Sequence, residues 1–256
     1  MAGRGRGSAF AAAVAAAVAL GAVALAGAQR QPLPSYIHVC KRNDPNINNC
    51  VKKSVEQIRP YLVRGIPEFH VPSIEPLELK EIIATGGPTL RITATNVRAY
   101  GCSDFTINRM SVDMRRDKFD FGIDLPHLYI VARYQVHGRI LLIPIHGSGP
   151  MRGNFTNCKG DVSLQGKRII RQGKEYMTFT NMDVRFHVGK GSIHLDNLFG
   201  GEKPLGEAVN NAINANFGAF VNELKPSIER ALSKAMLEIS NRVVHSYPQD
   251  VIFPEH

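Results

Sequence analysis

The residues with chemistry to offer are four cysteines, nine histidines and several glycine-flanked serines and lysines. A serine nucleophile on a strained elbow needs GxSxG spacing, which Gly147-Ser148-Gly149 lacks. Gly147, Gly149 and Gly153 miss the dinucleotide-binding pattern by one position, and no βαβ pattern surrounds them. Gly189-Lys190-Gly191-Ser192 imitates the end of a phosphate loop, but it lacks the upstream glycine and leads from one strand-like run to another. HExxH is absent. His187, His194 and Asp196 are close enough in sequence to meet at one hairpin end, though solvated turn positions are the plainer reading. No catalytic constellation emerges. The sequence argues against an enzyme and calls for no metal and no cofactor.

The cysteines depend on the compartment. Arg4 and Arg6 precede an apolar run from Ala9 to Ala28, closed by Ala26-Gly27-Ala28, which has the layout of a secretory leader cut after Ala28. An uncleaved anchor is the competing reading, but the run is rich in alanine, which contributes little transfer energy. The expectation is a signal peptide over 1–28 and one domain over 29–256, secreted and extracellular. Export oxidises thiols, so Cys40 is expected to pair with Cys50 across a short loop and Cys102 with Cys158 across a long one. Zinc is the alternative, but no CxxC pair or adjacent histidine supplies its ligand spacing. Asn154-Phe155-Thr156 is the one N-glycosylation sequon, read as lying in a loop.

The composition fits a folded chain rather than a disordered one, with 44% hydrophobic and 21% charged residues. A net charge of +9 is scattered in short clusters such as Arg115-Arg116 with Lys118 and Lys167-Arg168 with Arg171. Without interleaved aromatics these do not suggest nucleic acid. No run after the leader is long enough to span a bilayer, so stable membrane insertion is not expected.

The elements follow from periodicity. Asp44-Pro45-Asn46 opens a helix in which Ile47, Val51, Val55, Ile58 and Leu62 form one stripe, ended by Gly65 and Pro67. From about Leu79 to Leu195 the period is two. Phe119, Phe121, Ile123 and Leu125 form one alternating set; Leu128, Ile130, Tyr134 and Val136 form a second; Met182, Val184, Phe186 and Val188 form a third. Turns are expected at Arg115–Lys118, His137-Gly138, Gly147–Pro150, Gln172-Gly173 and Gly189–Gly191, giving a long antiparallel meander. From Leu205 to Val243 the helical period returns, and a continuous helix of that length would run about 60 Å, kinked at Pro226. Only the meander is long enough to partner it. Small residues near its start, including Gly206, Ala212 and Gly218, fit either close backbone packing or a space left for a guest.

Several motifs in order then match a known pattern. They are Cys40-Lys-Arg-Asn-Asp44-Pro45 with Cys50, Arg64-Gly65-Ile66-Pro67-Glu68, Glu75-Pro76-Leu77, Tyr100-Gly101, Leu141 to Pro150, Leu198-Phe199, Asn210 to Asn216 and Tyr247-Pro248. Together they resemble the takeout and juvenile-hormone-binding-protein family of insect secreted carriers, and the takeout-like branch more than the hormone carriers. The resemblance implies an α+β fold in which a long C-terminal helix is wrapped by a highly curved antiparallel sheet, with a shorter N-terminal helix. It also implies a lipophilic small-molecule ligand held between them, such as a terpenoid, a fatty acid or a related lipid.

On that footing the pocket candidates are Phe119, Phe121, Ile123, Leu125, Leu128, Ile130, Tyr134, Val136, Met182, Val184 and Phe186 from the strands. Phe217, Phe220, Leu224 and Ile228 face them from the helix. Tyr100 and Tyr134 are candidates to orient a polar group. The expected state is a monomer, with an unidentified receptor as a candidate partner. The alternatives are a signalling protein acting through its surface and an exchanger that draws lipids from membranes.

Overall fold

Helix α1 (Ile47–Arg64) occupies the predicted stripe and stops at Gly65. Gly65 has φ 82°, and a Cβ there would meet Ser73 N at 2.9 Å and Val71 O at 3.0 Å, so only glycine fits. The Cys40–Cys50 bridge, with its Cα atoms 5.8 Å apart, ties the incoming chain to the first turn of α1. The computed structural model describes residues 33–86, 89–140 and 143–255, and the expected leader lies outside them. The architecture below is that of the unit spanning Tyr36–His256.

Seven strands follow: β1 (Leu77–Gly86), β2 (Leu90–Tyr100), β3 (Thr106–Asp113), β4 (Lys118–Ile140), β5 (Ile143–Arg171), β6 (Lys174–His187) and β7 (Lys190–Leu195). All pair antiparallel in the order β1-β2-β4-β5-β6, with β3 also on β4 and β7 also on β5. The long strands β4 and β5 form a spine whose register runs from Lys118↔Gln165 to Ile140↔Ile143 without a slip.

The neighbours of that spine change halfway. β3 pairs with β4 as far as Asp124, and β2 takes over from Tyr129. On the other side β6 pairs with β5 down to Lys159, and β7 covers Met151–Thr156. At this level β4 carries Pro126, and β5 carries Asn157 with φ 54°. The apolar side chains of β4 change phase here, from Phe119, Phe121, Ile123 and Leu125 to Leu128, Ile130, Tyr134 and Val136. Those of β5 change with them, from Leu164, Val162 and Cys158 to Phe155, Met151 and Ile145. Both strands spend one residue at the joint, so their register survives while the dry face is reset.

Two expected turns are interior strand positions. His137-Gly138 lies in β4 and Gly147–Pro150 in β5, and the hairpin reverses between Ile140 and Ile143. The glycines mark close backbone approach instead. A Cβ on Gly138 would strike the carbonyl of Thr89, one on Gly149 would meet Asp196 O at 2.5 Å, and one on Gly147 would meet Leu198 Cα at 3.0 Å. The turn at Gln172-Gly173 is as expected.

The C-terminal helix is not continuous. It forms α2 (Lys203–Ala215) and α3 (Phe217–Ser246), broken at Asn216 with φ −119° and ψ 31°, and a short α4 (Gln249–Ile252) follows. Pro226 lies inside α3. At the break the Asn216 backbone N–H and side-chain amide both donate to Ala212 O, at 3.2 and 3.0 Å.

Rather than simply lying under the sheet, these helices join its two edges: α3 packs on both β1 and β6, and α2 packs on β7. Their polar side chains complete the open ladders. Asn210 accepts from Leu195 N at 2.9 Å and donates to Leu195 O at 3.0 Å. Asn214 does the same with Ile193, at 2.8 and 2.9 Å. Asn241 pairs likewise with Phe179, at 2.8 and 2.9 Å. Ser233 accepts from Val184 N, and the buried Glu229 accepts from Phe186 N. On the opposite edge Ser227 donates to Thr85 O at 3.1 Å. The curled sheet is thus closed by a helix whose side chains serve as a surrogate strand, leaving these backbone groups satisfied.

The second expected disulfide is absent. Cys102 and Cys158 are free thiols. Cys102 sits in a short 3₁₀ turn, Cys102–Asp104, directly after Gly101, which abuts the His127 carbonyl of β4. Cys158 lies on β5, across β4 from that turn and opposite Leu125. Elements on either side of an intervening strand stand about 9.5 Å apart, beyond the roughly 7 Å Cα limit for a bridge.

Candidate ligand-binding site

The sheet and helix enclose an apolar face that is dry at both ends. At one end Tyr134 and Val136 pack with Ile92, Ile145, Leu195, Leu198, Val209, Ile213, Phe220 and Leu224. At the other, Phe119, Met182 and Val184 pack with Met114, Leu164, Met177 and Val244, and with the partly buried Phe121, Leu232 and Met236.

Between these ends, burial loosens. Phe121, Ile123, Leu125, Leu128 and Ile130 run consecutively down the apolar side of β4, and all are half-buried. Phe186 on β6 and Phe217 and Ile228 on the helix are half-buried as well. The expected pocket residues therefore divide. Phe119, Tyr134, Val136, Met182, Val184, Phe220 and Leu224 are filled core; Phe121, Ile130 and Ile228 are partly buried against packed clusters, and Ile123, Leu125, Leu128, Phe186 and Phe217 are half-buried. Phe217 stands at the helix break, 6.0 Å centroid to centroid from Phe155, the β5 residue paired with Leu128.

Of the two tyrosines proposed to orient a ligand, Tyr134 has a committed hydroxyl. It donates to Asp196 O at 2.7 Å. Burial, with the nearby Asp196 charge, pushes its pKa up to about 12, so it remains a donor at any physiological pH. Tyr100 is half-buried and packs against Tyr129, ring centroids 6.1 Å apart.

The candidate polar clusters separate in space. His187 pairs with Lys159 and His194 with Arg152, seven residues apart along β5, which is about 23 Å of strand. His194 instead contacts Asp196 at 3.0 Å, beside Arg152 at 3.6 Å from the same carboxylate, an exposed surface pair. His38 lies close to Cys40 and Cys50, but both sulfurs are committed to the disulfide and offer no thiolate to a metal. Asn154 is exposed, but it lies in mid-strand between Tyr129 and Ser192 rather than in a loop. Burial raises the pKa of both free thiols, and Cys102, beside the Glu75 charge, reaches about 11. Neither is set up as a nucleophile. Among the described residues no helix is long and apolar enough to cross a membrane.

Sequence reading missed the side chains that hold the helix over this face. Asn210 and Asn214 are one helical step apart, and Glu229, Ser233 and Asn241 fall at multiples of four. Such polar residues recurring beside an apolar stripe are the signal that would have revealed them.

A curled antiparallel sheet sealed along its open side by a long helix, with an apolar face between, defines a class of fold. The crystal structure of Takeout 1 from Epiphyas postvittana shares it, with a TM-score of 0.74 at 21% identity over 85% of this chain and 99% of that one. The family model described as "Haemolymph juvenile hormone binding protein" matches residues 13–254, and the chain belongs to that family. The circadian clock-controlled protein daywake of Drosophila melanogaster is 24% identical over 231 residues, covering 86% of this chain and 88% of that protein. A putative beta-carotene-binding protein of Schistocerca gregaria is 23% identical over 220 residues, covering 85% and 88%.

Proposed function

We propose that this protein is a secreted, non-enzymatic carrier that solubilises a hydrophobic small molecule against the middle of its apolar face. The observation that carries the reading is that Ile123, Leu125 and Leu128 on β4, with Phe186 and Phe217, are half-buried among packed clusters. Apolar side chains left partly uncovered inside a fold gain by being covered. A long-chain guest hiding about 300–400 Å² gains on the order of 8–10 kcal/mol. Association and ordering costs then leave micromolar to nanomolar affinity. The family description and the Schistocerca relative's printed name, one naming juvenile hormone and the other beta-carotene, support a lipophilic ligand. The arginine-led alanine run at the N-terminus supports export, and exposed Asn154 is then a glycan acceptor.

Native mass spectrometry of gently purified protein tests the carrier reading. A releasable lipophile, or uptake of an added lipophilic probe at one site per chain, is expected. Protein that is empty and takes up no such probe overturns it.

A further inference from the structure

The outer surface of the sheet carries its charges unevenly. Where β3 and β6 flank the spine, cations and carboxylates match: Arg109 pairs with Asp161, Lys118 with Asp120 and Arg185 with Asp183. The opposite end, where β4 turns into β5, has no such balance. Arg91, His137 and His146 stand directly across from one another on β2, β4 and β5, all exposed, while their neighbours Ile92, Val136 and Ile145 are buried on the other side. Arg139 follows two residues beyond His137 on the same outer face, opposite Pro144. Among the described residues neither arginine has a side-chain ion pair or hydrogen bond. Basic side chains set opposite one another do not favour the sheet itself.

Carboxylates stand off from this row. The nearest outward one on these strands, Glu81 of β1, lies in the row of Thr95 and Arg133, four residues further along β4. Glu223 meets Gly86 from the inner, helix-covered side. The ring of Phe199 touches His146 edge-on at 5.0 Å, and Glu202 just beyond it is followed by Lys203. The tip itself is apolar. Past the row of His137 and His146, β4 and β5 pair only with each other among the described residues, ending at Ile140↔Ile143. Ile143, 39% exposed, and Pro144 are uncovered there. Pro144 has no N–H to offer, so this end is shaped against recruiting a further strand.

We propose that this end of the β4–β5 hairpin docks the protein peripherally on bilayers bearing anionic phospholipids, with Ile143 in the interface and Arg139 and Arg91 on the headgroup phosphates. The two arginines stand one and three residues behind the tip row, about 3 and 10 Å along the strands. Guanidinium groups suit phosphates through charge-assisted, often bidentate hydrogen bonds. Each basic side chain near an anionic bilayer is worth about fivefold in partitioning, and salt screens it. Such docking is a reversible contact of the surface, not a span, and it is independent of what the interior holds.

The test is co-sedimentation of the intact protein at low salt with vesicles of phosphatidylcholine and phosphatidylserine, three parts to one, and with vesicles of phosphatidylcholine alone. Wild type should favour the anionic vesicles at least about tenfold and release them as salt approaches physiological strength. R91Q/R139Q should weaken that binding about twenty-five-fold, and I143S several-fold without changing its salt dependence. R133Q, which removes an equally exposed arginine from the row of Glu81, should change it less than about twofold. All four side chains are exposed, so the melts should match wild type; if I143S melts lower, R91Q/R139Q against R133Q decides. Equal binding to both vesicle types overturns the proposal, as does unaltered binding by R91Q/R139Q or by a well-folded I143S. A loss in R133Q as large as in R139Q overturns it too, because the attraction is then diffuse. Competition by inorganic phosphate beyond that of sodium chloride at equal ionic strength overturns it in favour of a free-anion site. Uptake of a lipophilic probe should be the same in R91Q/R139Q as in wild type, so the carrier reading stands or falls separately.

Discussion

The two halves of the sheet share one spine but are packed with different materials. The half bearing β1, β2 and β7 is filled by branched and aromatic side chains, Ile92, Tyr134, Val136, Ile145, Val209, Ile213, Phe220 and Leu224 among them. The half bearing β3 and β6 collects Met114, Met177, Met182 and Met236 around Phe119. Branched side chains have few rotamers and specify one packing, whereas methionine fills irregular space and adapts. The branched half is expected to be the fixed anchor and the methionine-rich half the one that adjusts. A carrier with an adaptable end can accept guests of varied shape without loosening its whole core.

The largest effect should come from cutting into the fixed half. Ile213→Ala, at a residue 1% exposed, should cost about 4 kcal/mol by urea unfolding. Met177→Ala, at 2% exposure, should cost only about 2 kcal/mol because its neighbours can close the gap. Equal losses would end the distinction between the halves.

The helix seam sharpens the same contrast, since among the described residues five side chains bond it to the backbone of β6 and β7 and one bonds it to that of β1. Asn241→Leu and Asn210→Leu each strand a backbone N–H and a C=O, and should each cost about 2–3 kcal/mol. Ser227→Ala should cost about 1 kcal/mol. Amide hydrogen exchange should accompany this order, with the edge of β1 opening more readily than that of β6. Slower exchange along β1 would contradict the asymmetry.

A smaller effect belongs to Glu75. Burial works to raise its pKa, but hydrogen bonds from the Gly101, Ser103 and Cys102 amides and the Ser103 hydroxyl outweigh that and hold it below its usual 4.5. Its carboxylate, 2.8 Å from Gly101 N and 3.1 Å from Ser103 N, pins the segment before β1 to the β2–β3 connection. A depressed carboxyl stabilises fully above its unfolded pKa, and that contribution is lost as pH falls through the folded value. Glu75→Gln should therefore be less stable than wild type at pH 7, with the gap closing below about pH 4. A pH-independent gap would show that shape, not charge, holds the junction.

The last prediction touches stability least. Non-reducing peptide mapping should return the Cys40–Cys50 bridge with free thiols at Cys102 and Cys158. Both thiols should alkylate slowly at pH 8 in the folded protein and rapidly in urea, as their raised pKa values require. Rapid labelling of native protein would place one of them in an activating environment.

Much of this architecture was legible in the sequence, because alternation and helical spacing report burial directly. The phase change between Leu125 and Leu128 was visible as two separate apolar sets, although its cause, one residue spent on each spine strand, was not. The glycines of β4 and β5 misled because a turn and a close backbone approach demand the same residue. The break at Asn216 was invisible to periodicity, since a single-residue interruption barely moves the stripe. Cysteine pairing failed for a plainer reason: elimination assumes every thiol has a partner in reach, and β4 stands between these two. The candidate wall is legible in the sequence only as a list of apolar residues, and which of them are filled core depends on three-dimensional packing that no single strand reveals.

The joint at Pro126 and Asn157 makes the molecule extensible in units. Each side of it has its own neighbours and its own phase, so adding two residues to each spine strand on one side would preserve every inward-facing position on the other. Such an insertion would lengthen the interior by about 6.6 Å, the span of roughly five methylene bonds of an extended chain. The fold thus contains a ruler with a fixed zero mark, on which the length of the apolar face can be reset from one end.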